Sequence, residues 1–169
     1  MTKYVALLRA VNVGGTGKLP MTELKSMCES SGFKNARTYI ASGNVVFESK
    51  LSESAVKAKL ERCIATSAGK PVDVLVRTGP EMAAVLLKNP FKSRPANRTV
   101  AIFLDERPPK DTLKMISGQA AEEVALGTRE IYVHYGEGMA KTKLKIPAAK
   151  CGTARNMNTV AKLAEWASG

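Results

Sequence analysis

The sequence predicts an α+β chain, with a ferredoxin-like lobe over residues 1–78 and a second, smaller α+β lobe over residues 79–169. Three observations predict it. In the first half, apolar segments of strand and helix periodicity follow one another as β-α-β-β-α-β, the ferredoxin-like order. The second half reads roughly as α-β-α-β-β-α and ends in a basic segment and a terminal helix. The composition is globular: 44% hydrophobic against 24% charged residues over 169 positions. Such a chain buries about two-thirds of its unfolded surface and needs neither metal nor disulfide to fold.

Tyr4–Asn12 is an apolar run with no breaker, which predicts a buried strand. Gly14-Gly15-Thr16-Gly17 is a loop, and Pro20 suits the first turn of a helix because its missing N–H has no partner to lose there. Met21, Leu24, Met27 and Cys28 repeat at helical spacing up to Gly32. Ala36–Ala41 and Val45–Glu48 are β-rich segments joined by the turn Ser42-Gly43-Asn44. Ser52 caps a helix that buries Val56, Leu60 and Ile64 and stops at Gly69, and Val72–Arg77 is the next strand. Further on, Pro80–Leu87 reads as a helix broken by Asn89-Pro90, and Val100–Leu104 as a strand. Pro108-Pro109 opens a short helix through Ile116, and Glu123–Leu126 and Glu130–Tyr135 are two more strands. Gly136–Gly152 is Lys-rich and has no assigned structure. Asn156–Ala167 is the closing helix, with Met157, Val160, Leu163 and Ala164 on one stripe.

The net charge is +11, a surface that attracts nucleic acid, phosphorylated metabolites or acidic headgroups, or that simply keeps the chain soluble. The longest apolar runs fall far short of the ~18 residues of a spanning helix, so no membrane association is expected. Arg9 and Asn12 interrupt the N-terminal apolar stretch, which makes a poor signal peptide and points to the cytoplasm. Cys28, Cys63 and Cys151 are scattered, form no metal-binding spacing and read as free thiols. No cofactor and no metal site are expected.

Gly14-Gly15-Thr16-Gly17-Lys18 stands between a strand and a helix, the setting of a phosphate-binding loop. The full motif is absent: Asn12 replaces the first glycine, and Leu19 follows Lys18 where Ser or Thr would hold magnesium. What survives is a glycine-rich turn whose N–H groups, with Lys18, suit a phosphate or carboxylate, set against a plain connection. Arg9 is unusual inside an apolar strand and is either paired in a salt bridge or turned to a ligand. Ser42 has no evident base beside it, so Ser42-Gly43-Asn44 reads first as a turn. The RNA-recognition version of the ferredoxin-like fold stacks bases on strand aromatics. Here only Tyr4 and Phe47 are available, and Phe47 reads as core. His134, the single histidine, alternates with apolar residues and reads as a partly buried strand position rather than a general base. From Met139 to Leu163 there are six Lys and Arg side chains and no acid, an uncommon imbalance for a merely solvated face. Within that stretch Arg155, Asn156 and Asn158 either cap the last helix or, with its N-terminus, grip an anion.

Three blocks carry a family resemblance: Tyr4–Asn12 with Val13-Gly14-Gly15, then Thr38–Phe47 with Ser42-Gly43-Asn44, and Thr153–Leu163 with Arg155-Asn156-Met157-Asn158-Thr159-Val160. Over essentially its whole length the chain resembles the bacterial family called domain of unknown function 1697. Many relatives carry Trp where this chain has Met157. The resemblance implies an α+β fold with a ferredoxin-like N-terminal lobe and carries over no activity, cofactor or catalytic residue.

The expectation is therefore a cytoplasmic binding protein for an anionic ligand, either nucleic acid or a phosphorylated small molecule. Arg9, Lys18 and Arg155 would supply charge, and Asn12, Gly14, Gly15, Ser42, Asn44, Asn156 and Asn158 hydrogen bonds. The alternatives are an enzyme acting on a small anionic metabolite, with the same residues lining a pocket, and a protein-interaction module with a basic face.

Overall fold

The computed structural model describes residues 1–9, 19–40, 43–136 and 141–168. The chain is α+β, with two four-stranded antiparallel sheets and four helices among the described residues. It divides into two compact units, Met1–Ala83 with Leu163–Gly169, and Ala84–Lys162.

The first unit holds β1 (Thr2–Leu8), α1 (Met21–Ser30), β2 (Lys34–Thr38), β3 (Asn44–Ser49), α2 (Glu53–Ala68) and β4 (Val74–Thr78), in the β-α-β-β-α-β order read from the sequence. Its sheet runs β2-β3-β1-β4. The unbroken apolar run of β1 has a direct physical counterpart: Tyr4 through Leu8 are all buried, so this central strand is covered on both faces. Tyr4, Ala6 and Leu8 face a core completed by Leu24 and Cys28 of α1, Phe47 of β3, Val56, Leu60 and Ile64 of α2, and Phe33. Phe33 and Phe47 stack with centroids 4.4 Å apart, and Tyr4 lies 6.1 Å from Phe47. The helix signals act as read. Ser52 Oγ accepts the Ala55 N–H, and Gly69, at φ +73°, ends α2 by donating to the Ala65 carbonyl. Gly32, at φ +86°, follows α1 in the same way. The edge strand β2 is irregular: its register shifts between Lys34 and Arg37, where Asn35 takes a φ of +55°.

α3 (Gly79–Leu87) leads from the first unit into the second, which holds β5 (Thr99–Phe103), β6 (Glu123–Leu126), β7 (Glu130–His134) and β8 (Thr153–Asn156) in the order β6-β7-β5-β8. α4 (Met157–Trp166) runs back to the first unit. The core of the second unit is Val100, Ile102, Leu104, Ile131 and Val133, with Leu144 and Ile146 packed against it. No helix among the described residues is long and apolar enough to cross a membrane.

Two expectations need correction here. The helix expected from Pro108 to Ile116 is only a 3-10 turn over Thr112–Met115. Thr112 and Lys114 donate three residues back, to Pro109 and Asp111, and the prolines contribute no N–H to start a longer ladder. The segment before the last helix is also not a plain cap. Thr153–Asn156 forms β8, an edge strand pairing antiparallel with Val100–Phe103. Its polar residues resemble helix-capping residues, and its strand character comes from a partner at least 50 residues away in sequence.

Candidate functional site

The expected site residues separate into three sets. Asn12, Gly14, Gly15, Lys18 and Ser42 lie outside the described residues. Arg9 and Asn44 belong to the first unit. Arg9 stands just past β1, half-buried, and its backbone N–H donates to the Asp73 carbonyl at 2.9 Å. Asn44 is fully buried, and its Nδ2 donates to the Tyr39 carbonyl at 2.8 Å while the Tyr39 N–H returns to the Asn44 carbonyl at 2.9 Å. This reciprocal pair ties the two ends of the β2–β3 connection together.

Arg155, Asn156 and Asn158 belong to the second unit. Arg155 sits in β8 opposite Ala101, only 6% exposed. Its Nη1 donates to Thr153 Oγ1 at 2.6 Å and to the Ala154 carbonyl at 2.9 Å. Burial pulls its guanidinium down to about 10, which leaves it cationic at neutral pH. Asn156 Oδ1 accepts the Thr159 N–H at 2.9 Å and so caps α4, while Asn158 is exposed in the first turn. His134 is buried, with Nδ1 2.9 Å from Thr99 Oγ1. Cys28 is a core thiol pushed up to about 12, chiefly by burial, and Cys151 is exposed. Among the described residues no group of three or more His, Cys, Asp and Glu could hold a metal ion.

One cationic feature lies where the sequence suggested no structure. Residues 141–146 meet the segment after the 3-10 turn at one antiparallel bridge, Ser117 and Lys145, whose N–H groups donate to each other's carbonyls at 3.1 and 2.8 Å. Exposure alternates along this segment. Lys141, Lys143 and Lys145 are exposed, while Thr142, Leu144 and Ile146 are half-buried, the last two against the second core. The three lysines thus face solvent on every second residue, a short cationic ladder. None of the three ammonium groups has an ion-pair partner among the described residues. The alternation Lys-Thr-Lys-Leu-Lys-Ile is visible in the sequence and is the signal that reading passed over.

Glu122 holds the start of the ladder. One carboxylate oxygen accepts the Thr142 hydroxyl and the other the Ala120 N–H, each at 2.6 Å. The Thr142 hydroxyl, and then the backbone N–H groups, hold this carboxyl below its ordinary value of 4.5. A carboxyl lowered in the folded state contributes stability above its unfolded value and loses it as pH falls through the folded one. Glu122→Gln should therefore melt below the parent at pH 7, and the two melting temperatures should converge in thermal scans as the pH drops below 4.5.

Residues 1–132 match the family described as a protein of unknown function, DUF1697. The chain belongs to that family. The solved structure of a conserved bacterial protein from Streptococcus pneumoniae is 27% identical, covers 99% of each chain and superposes with a TM-score of 0.82. The two-sheet α+β architecture is thus shared along the whole length. A search of curated proteins returned no match. The DUF1697 match ends before the lysine ladder begins.

Proposed function

We propose that this DUF1697 protein binds a polyanion, single-stranded nucleic acid, by its phosphate backbone along Lys141, Lys143 and Lys145. The observation that supports this reading is the ladder itself: three exposed ammonium groups on alternate residues, without ion-pair partners among the described residues. The net charge of +11 adds long-range attraction. Base readout plays little part, because Tyr4 and Phe47, the aromatics a stacking platform would use, are 4% and 1% exposed. Binding is therefore tolerant of sequence and steep in salt.

Fluorescence anisotropy with labelled single-stranded oligonucleotides tests this. The parent should bind at low salt. Replacing the three lysines with Gln should weaken binding about tenfold or more and flatten the plot of log affinity against log salt by about 2, roughly 0.7 for each lost phosphate contact. No binding by the parent at low salt, or an unchanged slope in the variant, would overturn the reading. Equal affinity for duplex would overturn the single-strand assignment.

A further inference from the structure

The first unit carries a cationic feature independent of the ladder: a cleft of about 360 Å³ whose lining includes Lys34, Lys50 and Lys59 and no acidic side chain. The three lysines come from separate elements. Lys34 opens β2, Lys50 follows β3, and Lys59 projects from the second turn of α2. Lys34 and Lys50 are exposed at the rim, while Lys59 is half-buried. None has an ion-pair partner among the described residues. Lys57, two positions from Lys59, shows the alternative: it pairs with Glu61 at 3.0 Å.

The lining also has an apolar side. Phe33, 4% exposed, and Leu51, 39% exposed, supply an apolar wall. The cleft is also held in shape. The Tyr4 hydroxyl donates to the Leu51 carbonyl at 2.7 Å, and the Leu51 N–H donates to Ser49 Oγ at 3.1 Å. Leu51 and Lys50 are therefore anchored to the core rather than loosely attached. Three like charges around one concavity repel one another, and a half-buried ammonium gives up part of its hydration. A bound anion relieves both costs.

We infer that this cleft is a binding site for a small phosphate-bearing molecule, with the phosphate between the three ammonium groups and a compact body against Leu51 and Phe33. The volume lies at the small end of ligand sites, fitting a phosphate with a sugar-sized body better than a dinucleotide. Three point-like cations from separate elements around one cleft suit a multiply charged, roughly spherical group.

The test is isothermal titration of the full chain with inorganic phosphate and with ribose 5-phosphate, together with amide chemical-shift mapping. Saturable one-to-one binding of ribose 5-phosphate is expected, tighter than inorganic phosphate, with shifts clustered at Phe33, Lys50 and Leu51. Lys59→Met should weaken it about tenfold or more, Lys59→Arg should retain most of it, and the Gln variant of Lys141, Lys143 and Lys145 should leave it unchanged. The last arm separates this site from the ladder, so either can fail alone. The inference is overturned by absence of saturable binding at millimolar ligand, by shifts that map elsewhere, or by binding that survives Lys59→Met.

Discussion

Phe47→Ala is expected to destabilise the first unit by about 3–5 kcal/mol, the range for removing a buried aromatic side chain. Phe47 is 1% exposed and lies in the central core between the stacked ring of Phe33 and the tilted ring of Tyr4. Truncation removes both ring contacts and leaves a cavity that the surrounding strands cannot close. β3 is paired on one side to β1 and on the other to β2, so it cannot move inward without breaking a ladder. Phe47→Leu retains most of the apolar volume and should cost much less. Urea unfolding of both variants against the parent checks this, and a shift for Phe47→Ala no larger than that for Phe47→Leu would contradict the packing argument.

Gly118→Ala should release the lysine ladder. Gly118 has a φ of +70°, where an L side chain costs about 1–2 kcal/mol. A Cβ there would also sit 2.0 Å from the Lys143 carbonyl oxygen, a backbone atom that cannot swing away as a side chain would. Relief requires the two segments to separate, and the paired Ser117 and Lys145 hydrogen bonds break with them. The expected result is fast hydrogen exchange at the Lys145 and Ser117 amides while the amides of β5 and β7 keep their protection. Oligonucleotide affinity should fall in the same variant, because loosely held lysines lose more conformational freedom when they bind. Unchanged protection at Lys145 would show that the close approach does not hold the segment in place.

The parts of the fold legible in the sequence are those whose cause is local. The apolar run read over Tyr4–Asn12, the Ser52 cap and the Gly69 stop each act within a few residues, and the structure places there a buried strand that ends at Leu8, before Arg9, then a helix start and a helix end. β8 was not legible because its four residues, Thr-Ala-Arg-Asn, take their conformation from pairing with β5. The burial of Arg155 follows from the same pairing: a cation beside Asn156 and Asn158 reads as ligand-facing until the sheet sets its side chain against Thr153. The cationic cleft was hidden for a related reason. Lys34, Lys50 and Lys59 are separated by 16 and 9 positions and meet only through the order of strands and helices. The ladder was legible in principle, since its alternation is strictly local. It was obscured because lysine on every second residue reads as charge density rather than as a strand pattern.

The irregular β2 bears on how these molecules behave when crowded. A straight outer strand offers a row of open N–H and C=O groups to any other extended chain. The left-handed turn at Asn35 breaks that row in the middle, and the charges of Lys34 and Arg37 flank the break. Two copies brought edge to edge on this side would meet mismatched hydrogen-bond positions and like charge, which disfavours strand addition at β2.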